Sequence, residues 1–95
     1  MAYRGRSLDH YYENGFIERK FGNAINALKV NEYEAAQGYF DKVIKLDPEF
    51  QDAYFNRAYV RWVLKDNEGM CEDLAKAGEL GDFEALFLLD RKCKE

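Results

Sequence analysis

Phe21–Pro48 reads FGNAINALKVNEYEAAQGYFDKVIKLDP, and Phe55–Asp82, 34 residues on, reads FNRAYVRWVLKDNEGMCEDLAKAGELGD. The two stretches fall in step: Phe21 with Phe55, Ala24 with Ala58, Glu34 with Glu68, Lys42 with Lys76 and Leu46 with Leu80. A period of this length, filled with helical pattern, means stacked helix pairs. Such a unit cannot bury its own apolar face, so its neighbours must cover it. The expected fold is all-α, with antiparallel helix pairs stacked as a short solenoid and closed by a C-terminal capping helix.

Working outward, residues 1–16 are expected to form an N-terminal extension, partly helical or disordered. Ser7 can cap a helix that begins at Leu8-Asp9, and Asn14-Gly15 is a turn signal. Two units follow, over about 17–50 and 51–81. The first helix is expected over 17–30. Asn31 and Glu34 have the spacing of a capping box, which would open the second helix. Asp47-Pro48 closes that helix, since proline is excluded from a helix interior. The third helix is expected over 51–64, a turn at Lys65-Asp66-Asn67, and the fourth helix over 68–80. Gly81-Asp82 supplies a stop and then a cap. The last helix, over about 83–93 in the terminal segment 82–95, ends in Arg91, Lys92 and Lys94, which suit the negative end of its dipole. Leu86, Leu89 and Cys93 share the stripe expected to cover the second unit. Gly22, Gly38, Gly69 and Gly78 fall inside helices, where they read as places of close helix crossing.

The spacing resembles the tetratricopeptide repeat (TPR), with its W-x2-L-G-x2-Y, A-x3-F and P positions. The first unit places Lys20, Asn23, Ala24, Ala27, Ala36, Phe40 and Pro48 there. The second places Tyr54, Arg57, Ala58, Arg61, Met70, Leu74 and Asp82. Lys20, Asn23 and Arg61 depart from the pattern. The runs Asn56-Arg57-Ala58 and Glu72-Asp73-Leu74 look like a bacterial version of the repeat, and Ala77–Ala85 looks like its usual exit into a closing helix. The resemblance implies a concave groove along the first helix of each unit. It also implies an ion pair between Arg57 and Asp73 across the second hairpin. Asn56 matches an asparagine that holds a peptide carboxylate in some members, but Gly22 and Asp52 replace the other groups of that clamp.

Composition narrows the function further. The chain has 95 residues and a formal net charge of −4, from 14 basic and 18 acidic residues. That balance disfavours nucleic acid and anionic membrane surfaces as partners and favours a basic peptide. No apolar run is long enough to span a bilayer, and the start lacks the apolar core of a secretory signal. A cytoplasmic location is the default expectation, although a segment trimmed from an exported protein would read the same. His10 is the only histidine and has no nucleophile or metal partner by spacing, so no enzyme is expected. No phosphate-binding glycine loop occurs, and Asp47-Pro48-Glu49 lacks the ligand spacing of a calcium loop. No cofactor or metal is implied. Cys71 and Cys93 form no metal or redox motif and read as small, buried or half-buried apolar residues, with a disulfide or a reactive thiol as the alternatives.

The third helix is apolar on every side, and so needs neighbours all round. Asp52, Phe55, Asn56, Tyr59 and Val63 form a single stripe on it. Phe21, Gly22, Ile25 and Lys29 occupy the matching stripe on the first helix. The candidate contact surface is therefore Phe21, Ile25, Phe55, Asn56, Tyr59 and Val63. It would serve a protein or peptide partner, basic with an apolar anchor, or a second copy of the chain in a homodimer. The alternative is that these aromatics pack against the N-terminal segment or one another.

Overall fold

The computed structural model describes residues 15–94. They form five helices: α1 (Gly15–Lys29), α2 (Tyr33–Leu46), α3 (Gln51–Val63), α4 (Asn67–Glu79) and α5 (Phe83–Cys93), with no strand among the described residues. The helix expected after Ser7, His10 and the Asn14 side of the turn lie outside them. Consecutive helices are joined by short turns and pack against each other as antiparallel hairpins. The first hairpin is α1–α2, the second is α3–α4, and α5 packs on α4.

The backbone carries the same repeat as the sequence. Asn31 and Lys65, 34 residues apart, both take positive φ, at 64° and 68°. After each, the next amide reaches back to close the preceding helix: Glu32 N–H to the Ala27 carbonyl at 2.9 Å, and Asp66 N–H to the Arg61 carbonyl at 2.8 Å. Gly81, at φ 106°, ends α4 in the same way, with Asp82 N–H donating to the Ala77 carbonyl at 3.0 Å. This six-to-one bond is the usual closure of a helix on a left-handed residue. Asn31 therefore ends α1 and does not open α2, which corrects the expected capping box. Asparagine suits both tasks, and here its left-handed backbone excludes the capping one. Glu32 stands at the N-cap of α2 and makes no side-chain cap bond.

α1 begins two residues before its expected start, and the cations Lys20 and Arg19 lie 5.0 and 5.9 Å from the Phe16 ring. Ala24, Ala36, Phe40, Val43, Ala58, Leu74 and Ala77 are all buried along the facing sides of the helices. One apolar cluster fills the first hairpin and its junction with α3. There Phe21 stacks on Phe50 at 4.8 Å and meets Phe40 edge-on at 5.9 Å. A second cluster, made of Tyr54, Phe55, Ala58, Met70, Leu74, Ala77 and Ala85, joins α3, α4 and α5.

Two of the four glycines read as crossing points stand at close crossings. A Cβ on Gly78 would strike Leu86 of α5, and one on Gly69 would strike the Asp66 carboxylate and Arg61. At Gly22 and Gly38 nothing described lies within 4 Å of that position, so these glycines serve no crossing among the described residues. The stripe that seats α5 also differs from the expected one. Ala85 is buried, Leu88, Leu89 and Cys93 are half-buried, and Leu86 remains exposed.

Candidate functional site

The floor of the site is α3, and its position depends on how α3 is bound to its neighbours. Arg57 donates to both oxygens of Asp73 on α4, from Nε at 2.8 Å and Nη2 at 2.7 Å. Its third nitrogen, Nη1, donates to Asp41 on α2 at 2.7 Å. Arg61 adds a bond from Nη1 to Asp73 at 3.1 Å. The expected pair is thus present, and it belongs to a network spanning three helices. Burial by itself would lower the pKa of Arg57. The bonds from Asp73 and then Asp41 outweigh it and hold the guanidinium above its ordinary value. Two-pronged Arg–carboxylate bonds fix geometry as well as charge. The Arg57 bonds tie α3 to α2 of the first hairpin and to α4 of its own.

On its other side α3 faces α5 across an open groove of about 330 Å³. Phe55, Ala58, Tyr59 and Trp62 of α3 form one wall, Glu84, Leu88 and Lys92 of α5 form the other, and Met70 and Leu74 of α4 lie between them. Trp62 is about half exposed, at 48%. Lys92 Nζ sits 5.4 Å from the Trp62 ring, a cation–π contact across the mouth of the groove. The aromatic row continues through Tyr59, 6.0 Å from Trp62 and 6.5 Å from Tyr33 at the start of α2. Loss of surrounding water, and then the neighbouring Tyr59, raise the pKa of the Tyr33 phenol.

Of the six residues singled out from sequence, Phe55 and Tyr59 line this groove. Phe21 and Ile25 belong to the core of the first hairpin, because Phe50, in the turn between the hairpins, covers Phe21. Val63 is half-buried and lies outside the groove lining. Asn56 is fully buried. Its Nδ2 donates to the Asp52 carbonyl at 2.8 Å, while its Oδ1 has no hydrogen-bond partner among the described residues. A buried acceptor left in this state is uncommon and costly.

Sequence reasoning missed Trp62, Leu88, Glu84 and Lys92. At 100° per residue, Trp62 lies about 80° round the helix from Asp52, at the edge of the stripe. The groove follows that edge because α5 packs on that side. The i, i+4, i+8 spacing of Glu84, Leu88 and Lys92 was the readable signal for the second wall.

The cysteines also depart from expectation. Cys71 of α4 and Cys93 of α5 form a disulfide, with Cα atoms 5.9 Å apart across 22 residues of sequence. The hairpin geometry brings the middle of α4 beside the last turn of α5, a proximity that no sequence motif records. No cluster of three or more metal-ligating side chains occurs among the described residues. No helix among them is long and apolar enough to cross a membrane. No protein-family model matches the chain, and comparison with curated proteins and with solved structures found no match.

Proposed function

We propose that this chain is a non-enzymatic, TPR-like module that binds a protein or peptide segment in the groove between α3 and α5. The observation that carries the reading is the open groove itself. Tyr59, Trp62 and Leu88 offer an apolar wall on either side of a gap wide enough for a side chain, with Glu84 and Lys92 at its rim. An apolar concavity with a few polar groups at its edge is the usual form of a recognition site. The net charge of −4 favours a ligand with basic residues beside its apolar anchor, and disfavours nucleic acid and anionic membranes. The disulfide favours an oxidising compartment over the cytoplasm.

Peptide display against the folded chain tests this. Selected peptides should carry an apolar anchor with adjacent Lys or Arg. They should lose most of their affinity for Tyr59→Ser and Trp62→Ala variants of unchanged helical content. Equal binding to wild type and both variants would remove the groove from consideration. A second reading, self-assembly, is favoured by one observation: Phe83 and Phe87 on α5 are 83% and 57% exposed. Sedimentation at several concentrations separates it from the first.

A further inference from the structure

We propose that the Cys71–Cys93 disulfide is a redox latch on the groove, and that its reduction by a dithiol releases the wall formed by α5. Apart from the half-buried Leu88 and Leu89, little among the described residues holds the far end of that helix. α5 has 11 residues, and Ala85, near its start, is its one buried residue. Phe83, Leu86 and Phe87 are exposed, while Leu88, Leu89 and Cys93 are half-buried. A helix this short has little stability of its own. Its beginning is fixed by the Asp82 cap on the Ala85 amide and its last turn by the disulfide. Lys92, next to Cys93, makes the contact over Trp62. Freeing Cys93 therefore loosens the part of α5 that faces Trp62, with Gly81-Asp82 as the hinge.

The bond is reachable. Cys93 lines a second open cavity of about 410 Å³ with Leu86, Leu89, Asp90 and Lys94. A thiolate of the dithiol attacks the Cys93 sulfur there, and Cys71 leaves as a thiolate that takes up a proton. The second thiol of the reductant then displaces Cys93 from the mixed disulfide. Two electrons and two protons pass to the protein, and the reductant departs as its own disulfide.

The latch rests on the proposed function only for its use, because its state can be read without a ligand. Trp62 is the only tryptophan and lines the groove. On adding dithiothreitol, its emission should shift to the red and acrylamide quenching should rise about twofold, as expected for local opening. Far-UV circular dichroism should change little, and reoxidation should reverse the shift. A Cys71→Ser/Cys93→Ser variant should resemble the reduced protein and ignore dithiothreitol. Unchanged emission and quenching on reduction would overturn the latch. So would collapse of the whole helical signal, which would make the bond a general staple. Peptide binding that fails in both redox states would count against the proposed function alone.

Discussion

The two hairpins share a backbone plan and are held together by different means. The first is built on burial: Phe40, Phe50 and Val43 are fully buried, with Phe21 packed among them. The second buries Tyr54, Phe55, Met70 and Leu74 with the small Ala58, Ala77 and Ala85, and leaves Tyr59 and Trp62 lining an open groove. Directional bonds make up the difference. They are the Arg57–Asp73–Arg61 network, the Asp66 cap and the disulfide to α5. The contrast follows from the groove. A hairpin whose α3 rings Tyr59 and Trp62 line an open groove beside α5 gains less from burial on that side than a closed one. It is fixed instead by bonds that need little volume.

The largest effect expected from this contrast lies at one register position, Phe40 in the first hairpin and Leu74 in the second. Phe40→Ala should cost about 3–5 kcal/mol, and Leu74→Ala about 2–3 kcal/mol, because the cost depends on the cavity left behind. Leu74 borders an open groove, where solvent and neighbours can occupy the space. Urea unfolding of both variants checks the order, and equal or reversed losses would break the comparison. Next comes the disulfide. For a 22-residue separation, the chain-entropy argument puts its contribution at about 3 kcal/mol. Hydrogen exchange after reduction should rise first in α5 and leave the core of α1 and α2 protected. Uniform loss of protection would mean that the two hairpins unfold as one.

The parts of this arrangement that were legible in sequence are those set by local pattern. The 34-residue period carried the five helices and the buried positions, because stacked repeats place equivalent residues in equivalent surroundings. Gly81-Asp82 was readable as a stop and a cap, since each residue has one strong local preference there. Asn31 was not, because asparagine both caps helices and adopts the left-handed backbone. The disulfide and the third arm of Arg57, to Asp41, depend on which helices meet. Trp62 escaped for the same reason: a stripe on α3 identifies a face, but only the position of α5 decides which edge of it becomes a groove.

A smaller effect belongs to the ion-pair network. Asp73 is nearly buried and Arg57 mostly so, with side-chain exposures of 3% and 14%, whereas Asp41 is 54% exposed. A double-mutant cycle on Arg57→Ala and Asp73→Ala should give a coupling of about 1.5–3 kcal/mol, the range for hydrogen bonds to charged groups. The Arg57–Asp41 cycle should give under about 0.5 kcal/mol, as for exposed pairs. If the two couplings were equal, the buried arm would have no special role in the second hairpin.

The smallest effect bears most directly on why the hairpins differ. Glu32 and Asp66 are register mates, each the N-cap of the second helix in its hairpin. Their backbones match closely, with φ/ψ of −91°/78° and −94°/78°. Only Asp66 makes the cap bond, accepting from the Gly69 amide at 2.9 Å. Aspartate is a preferred cap and glutamate is not, because the extra methylene carries the carboxylate past the third amide. Asp66→Ala should therefore cost about 1 kcal/mol. Glu32→Ala should cost almost nothing. The reciprocal change, Glu32→Asp, should stabilise the first hairpin by about 0.5–1 kcal/mol, since the backbone is already set for it. Thermal unfolding of the three variants measures all of this. A gain at Glu32→Asp would mean that the first hairpin lacks the bond because its aromatic core makes it dispensable. No gain, despite matching dihedrals, would mean that the local backbone differs in a way that φ and ψ at the cap do not capture.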